Sequence, residues 1–175
     1  LTTDYTDDTD ATAKFVLPVK SLPKILLSLL LIAFFATPAL RAQREKIPPE
    51  DLEFVEKTWP TAKKTSTGIR YIIQQPGAGE SPVRGDLVSV LYVGRLLSGE
   101  TFDQNINREA PFTFRVGRDS VIQGWDQVLQ LMKKGERRLV IIPPELAYGT
   151  RGKSPNIPRN ATLLFLIELI DFKKE

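Results

Sequence analysis

The chain has 175 residues, 42% of them apolar, with nine Phe, two Trp and four Tyr, which is enough for one folded domain with tails and excludes global disorder. Lys and Arg number 24 against 21 Asp and Glu, a formal charge of +3 with no basic run longer than two residues, which argues against nucleic acid as a partner. There is no Cys and no His, so disulfides, thiol nucleophiles, thiolate metal sites, the commonest general base and the commonest zinc ligand are absent together.

Residues 1–18 begin with a Thr- and Asp-rich stretch carrying Asp4, Asp7, Asp8 and Asp10, and read as a disordered acidic prefix. Residues 19–42 have the three parts of a secretory signal peptide: Lys20 and Lys24 as a basic flank, an apolar run over 25–36, and the small residues around Ala39 and Ala42. The run is shorter than the roughly 20 apolar residues of a membrane span. Cleavage near Ala39 or Ala42 is therefore expected in preference to an uncleaved anchor, with export to a periplasm or envelope and membrane contact only through this segment. A start near Val19 would give the signal an ordinary basic beginning and make residues 1–18 an artefact of the gene model.

Residues 43–66 read as a mixed-charge linker. Within it Pro48-Pro49-Glu50-Asp51 looks like a helix start, with Pro near the first helical position and acids in the first turn. Leu52, Phe54 and Val55 allow two or three turns before Trp59-Pro60. That is too short for a long dimerising helix, so a monomer is expected.

From Thr67 the pattern changes to short strands punctuated by turns. Strands are predicted over 69–75, 87–97, 101–103, 111–114, 137–142 and 161–172, separated by Pro76-Gly77, Ser98-Gly99, Pro143-Pro144 and a Gly- and Pro-rich loop from Ala147 to Pro158. Between them Trp125, Val128, Leu129 and Met132 recur at helical spacing, followed by Lys133, Lys134 and a stop at Gly135. The expected fold is α+β, a five- to six-stranded curled antiparallel sheet wrapped around one short amphipathic helix.

Val90-Leu91-Tyr92-Val93-Gly94, Phe102-Asp103, Pro111-Phe112-Thr113-Phe114, Val121-Ile122-Gln123-Gly124-Trp125, Ala147-Tyr148-Gly149 and Ile157-Pro158 with Ala161-Thr162-Leu163-Leu164-Phe165 occur in that order. Over residues 67–174 this resembles an FKBP-type peptidyl-prolyl cis-trans isomerase domain. The resemblance implies an aromatic pocket for a substrate proline, with Trp125 as floor and Tyr92, Phe102, Phe112, Val121, Ile122, Tyr148, Ile157 and Phe165 as walls. It implies Asp103 as the polar member and Arg108 as a basic partner for Asp103 and Tyr92. Asn156 and Lys153 depart from the family's pattern at the rim. Taken singly, Trp125, Phe114 and Phe165 read as core; as an ordered set with Phe102 and Tyr148, Trp125 reads as part of a site.

Rotation about an X-Pro amide crosses a barrier of roughly 18 to 20 kcal/mol without breaking a bond, so it needs neither a nucleophile nor a proton relay. This suits a chain without His or Cys, and no cofactor or metal is expected. The implied partners are proline-containing segments of unfolded or partly folded proteins, and the macrolide inhibitors of the family. The alternative is a non-catalytic proline-binding module or holdase. Only seven residues separate Gly149 from Ile157, leaving no room for the inserted domain often found there in relatives with chaperone activity. A third reading is an envelope protein held by an uncleaved N-terminal helix.

Overall fold

The computed structural model describes residues 45–175. The acidic prefix at 1–18 and the signal segment at 19–42 lie outside the described residues.

Helix α1 (Pro49–Thr58) starts behind Pro48, carries Pro at its first position with Glu50 and Asp51 in its first turn, and ends at Trp59. The strands are β1 (Lys63–Lys64), β2 (Arg70–Gln75), β3 (Leu87–Leu96), β4 (Thr101–Asn105), β5 (Phe112–Arg115), β6 (Arg137–Ile142) and β7 (Leu163–Lys173). Helix α2 (Gln123–Leu129) lies between β5 and β6. All pairings are antiparallel, in the order β1-β2-β6-β7-β3-β4, with β5 also on β3. The expected curled sheet with a helix against it is present. Its strands number seven because residues 63–64 add a two-residue edge outside the predicted set.

β3 organises the rest. One edge pairs with β7 from Leu87↔Lys173 to Leu96↔Leu163. The other edge is shared end to end: β5 takes residues 87–90, with Val90 opposite Phe112, and β4 takes residues 92–95, with Gly94 opposite Asp103. Two separate segments are thereby brought to either side of Tyr92.

Side chains alternate across the pleat, so β6 is buried on both faces. Val140 and Ile142 join the main core with Val88, Val90, Phe165, Ile167 and the inner residues of α2. Ile141 points the other way, into a second cluster with Ile47 and Val55, against which Leu52, Trp59, Leu97 and Leu164 pack. The linker read from the sequence thus covers the outer face of the sheet with α1. Glu45 fastens it by accepting from Lys64 at 2.7 Å and Arg70 at 3.0 Å.

α2 is shorter than its periodicity suggests. Beyond Leu129 the chain tightens, with Leu131 N–H donating to Val128 and Met132 N–H to Leu129, so Met132 reaches the core from a turn and Lys133 and Lys134 lie outside the helix.

Candidate functional site

At the concave face of the sheet, where α2 begins, lies a cavity of about 180 Å³. Trp125 is 4% exposed and forms its floor, edge-to-face with Tyr92 at 4.9 Å and with Phe165 at 5.3 Å between ring centroids. Phe112 stands over it at 6.3 Å, and Phe102 braces Phe165 at 5.6 Å. This interlocked set of edge-on contacts holds the walls apart by mutual packing.

Gly94 makes the arrangement possible. A Cβ there would lie 2.7 Å from Phe165 and 2.8 Å from Phe102, so only glycine leaves both rings their places. Gly124 does the same for the floor, since a Cβ would meet Ile142 at 2.5 Å and push α2 off the sheet.

The loop before α2 supplies Ser120, Val121 and Ile122. It is held by Asp126, whose buried carboxylate accepts from Gly117 N–H at 2.7 Å and Asp119 N–H at 3.2 Å, both residues having positive φ. Ile122 caps the helix: its carbonyl accepts from Trp125 N–H and Asp126 N–H, and its own amide donates to no group among the described residues.

The polar side of the cavity is formed by Tyr92, Asp103, Tyr148 and Lys153. Burial and the Asp103 carboxylate facing it push the Tyr92 phenol up to about 12, so it keeps its proton near neutral pH. Lys153 Nζ sits 5.5 Å from the centre of the Tyr148 ring.

Of the ten residues singled out in the sequence, Tyr92, Phe102, Asp103, Phe112, Val121, Ile122, Trp125, Tyr148 and Phe165 line this one cavity. Ile157 lies in an adjoining recess of about 220 Å³ with Phe102, Asp103, Lys153, Ser154 and Asn156, and is 5% exposed. Ser120 was missed, because nothing in its chemistry separates it from any loop serine; Asp126 was missed as the group that shapes the loop. Arg108 differs from its expected pairing. It lies in an outer recess that Tyr92 also borders, but its guanidinium donates to Glu168 at 2.7 and 2.9 Å, and Arg137 donates to the same carboxylate at 3.0 Å. Those two cations hold the Glu168 carboxyl below its usual range against the opposing effect of burial, and Asp103 is left facing Tyr92. Among the described residues no cluster of carboxylates suits a metal ion.

A family model described as FKBP-type peptidyl-prolyl cis-trans isomerase matches residues 78–170. The chain is 46% identical over 111 residues to the FKBP-type peptidyl-prolyl cis-trans isomerase FkpA of Escherichia coli K12, covering 63% of this chain and 40% of that protein. It is 45% identical over 118 residues to FK506-binding protein 4 of Dictyostelium discoideum, covering 66% of this chain and 32% of that protein. It thus spans well under half the length of these curated relatives. The crystal structure of AtFKBP13 superposes with a TM-score of 0.61 at 39% identity, covering 64% of this chain and 98% of that one. On the matched family model and on this fold, the chain belongs to the FKBP-type peptidyl-prolyl cis-trans isomerase family.

Proposed function

We propose that this chain accelerates cis-trans rotation about X-Pro bonds, holding the proline ring on Trp125 and favouring the twisted amide. The observation that carries this reading is the cavity itself: about 180 Å³, floored and walled by rings, with Tyr92, Asp103, Ser120, Tyr148 and Lys153 as its polar members. An apolar cavity of about 150 Å³ accommodates benzene, so a five-membered ring fits here.

The planar amide owes its barrier to resonance that separates charge, and the twisted amide has less separation to solvate. A desolvated aromatic surface therefore favours the twisted form over the planar one. In this reading the Ile122 N–H donates to a substrate carbonyl, while Asp103 and Tyr148 orient dipoles at the polar side. Tyr92, protonated up to about 12, fixes Asp103 and does not exchange a proton with substrate. Each tenfold in rate needs about 1.4 kcal/mol of preference for the transition state.

The clients proposed are proline-containing segments of unfolded or partly folded proteins outside the cytoplasm. Export rests on the signal-like segment at 19–42; among the described residues no helix is long and apolar enough to cross a membrane. The same cavity would take macrolide inhibitors, FK506 being named for the Dictyostelium relative. Monomeric action is supported by α1, a ten-residue helix whose buried residue Val55 is already engaged by the sheet.

A proline-peptide isomerisation assay on the full chain tests the reading. Trp125→Ala would cost roughly 3–5 kcal/mol of stability because the indole is core as well as floor, so Asp103→Val and Tyr148→Phe are the sharper probes. Each should lower kcat/KM roughly 10- to 100-fold in a folded protein. An inactive wild-type chain that still binds proline peptides would instead support the non-catalytic binding module.

A further inference from the structure

Residues 149–160, which flank the cavity beside Tyr148, contain Arg151, Lys153 and Arg159 and no Asp or Glu, a charge of +3 on one loop. All three are exposed, and none joins an ion pair among the described residues. Elsewhere Lys46, Arg70, Arg108, Arg118, Arg137 and Arg138 each hold a carboxylate, whereas Lys57, Lys63, Arg84, Arg95, Lys133 and Lys173 form no ion pair among the described residues; what sets this loop apart is three such cations between positions 151 and 159 beside the cavity. Unrelieved like charges on a short loop repel one another, and an anion placed among them removes that cost.

The loop backbone fixes where one of these cations lies. Lys153 N–H donates to the Ile157 carbonyl at 2.9 Å, Ile157 N–H returns to the Lys153 carbonyl at 2.8 Å, and Gly152 N–H donates to Tyr148 at 3.1 Å. Lys153 consequently lines both the proline cavity and the adjoining recess. Asp103 borders the same two spaces, but it faces Tyr92 and forms no ion pair with Lys153. A third recess shares Ser120, Val121, Ile122 and Tyr148 with the cavity and is bordered by Asp119 and Glu145; Glu145 pairs with Lys46 at 3.2 Å and Asp119 holds no cation among the described residues. The ring-lined cavity therefore adjoins one recess bordered by Lys153 and Asp103 and another bordered by Asp119 and Glu145.

We infer that Lys153, supported by Arg151 and Arg159, is a specificity-determining residue that selects segments with an Asp or Glu on the side of the proline lying over residues 149–160. This rests on the reading of the cavity as a proline site. A bare apolar cavity would be indifferent to charge beside the proline; this one carries at its lip an ammonium in no ion pair, with Asp103 beside it turned to Tyr92 and two further carboxylates, Asp119 and Glu145, bordering a separate recess.

The test uses the full chain and peptide pairs identical except for Glu or Gln, placed immediately before or immediately after the proline, with kcat/KM read by exchange NMR. The Glu peptide should be preferred about two- to fivefold at one flank and not at the other. That preference should shrink in 0.5 M salt, vanish in Lys153→Gln and persist in Lys153→Arg. Equal rates at both flanks, or a preference that survives combined Lys153→Gln, Arg151→Gln and Arg159→Gln, would overturn it. If no peptide is isomerised, catalysis fails by itself and calorimetric Kd values for the same pairs decide the charge preference. A several-fold tighter Glu peptide at one flank upholds it, whereas equal affinity or no binding overturns it.

Discussion

Gly94 shows how a single position governs the site. It sits on the inner side of β3, with Asp103 and Phe165 as its cross-strand partners, and its missing Cβ is the space that Phe102 and Phe165 occupy. Gly94→Ala should destabilise the protein by about 1–3 kcal/mol, as an overpacked core does, and should lower proline-peptide kcat/KM at least tenfold as the rings move. Urea midpoints and the isomerisation assay measure both; unchanged activity would mean that ring positions do not matter. At this scale much of the site was legible. Trp125, Phe102, Phe112 and Tyr148 are recognisable because their order along the chain carries more information than any ring alone. The partner of Arg108 was not, because a turn residue's number does not say over which face of a sheet it will lie, and Glu168 is sixty residues away. The roles of Ser120 and Asp126 were hidden for the same reason, since both depend on how the loop before α2 folds over its own helix.

The elements divide the work between two faces of one sheet. α2 presents Trp125 to the concave side, and α1 covers Ile141 on the other. Val55, the fully buried residue of α1, belongs to the second cluster. Val55→Ala should therefore cost about 1–3 kcal/mol in denaturant unfolding and leave kcat/KM within about twofold, because no wall of the cavity touches it. A large loss of activity at unchanged KM would show instead that α1 controls the site. Strand positions were readable from alternation and turn residues. The end of α2 was not, because a final 3₁₀-like turn keeps Met132 at the same apolar spacing that an α-helix would.

Across the whole molecule, charge fastens the N-terminal part of the described chain to the sheet. Glu45 is bound by Lys64, Arg70 and the amides of Lys46 and Ile47, and these partners, overcoming the opposing effect of burial, draw its carboxyl down from 4.5 to about 2. A carboxyl lowered on folding contributes stability that is complete above its unfolded value and is lost as pH falls from about 4.5 toward 2. Glu45→Gln should thus cost about 1 kcal/mol at pH 7, discounted for the partial exposure of the group. The gap from wild type should close in urea titrations between pH 5 and 2. A gap independent of pH would place the stabilisation in packing.

The central claim is that one ring-lined cavity receives the proline, and NMR titration of the full chain with a proline peptide tests it most directly. The Ile122 amide and the Trp125 indole resonances should shift together and saturably, with Tyr148 and Lys153 following and α1 unmoved. Shifts confined to the outer recess beside Arg108 and Glu168, with Ile122 and Trp125 unchanged, would contradict it.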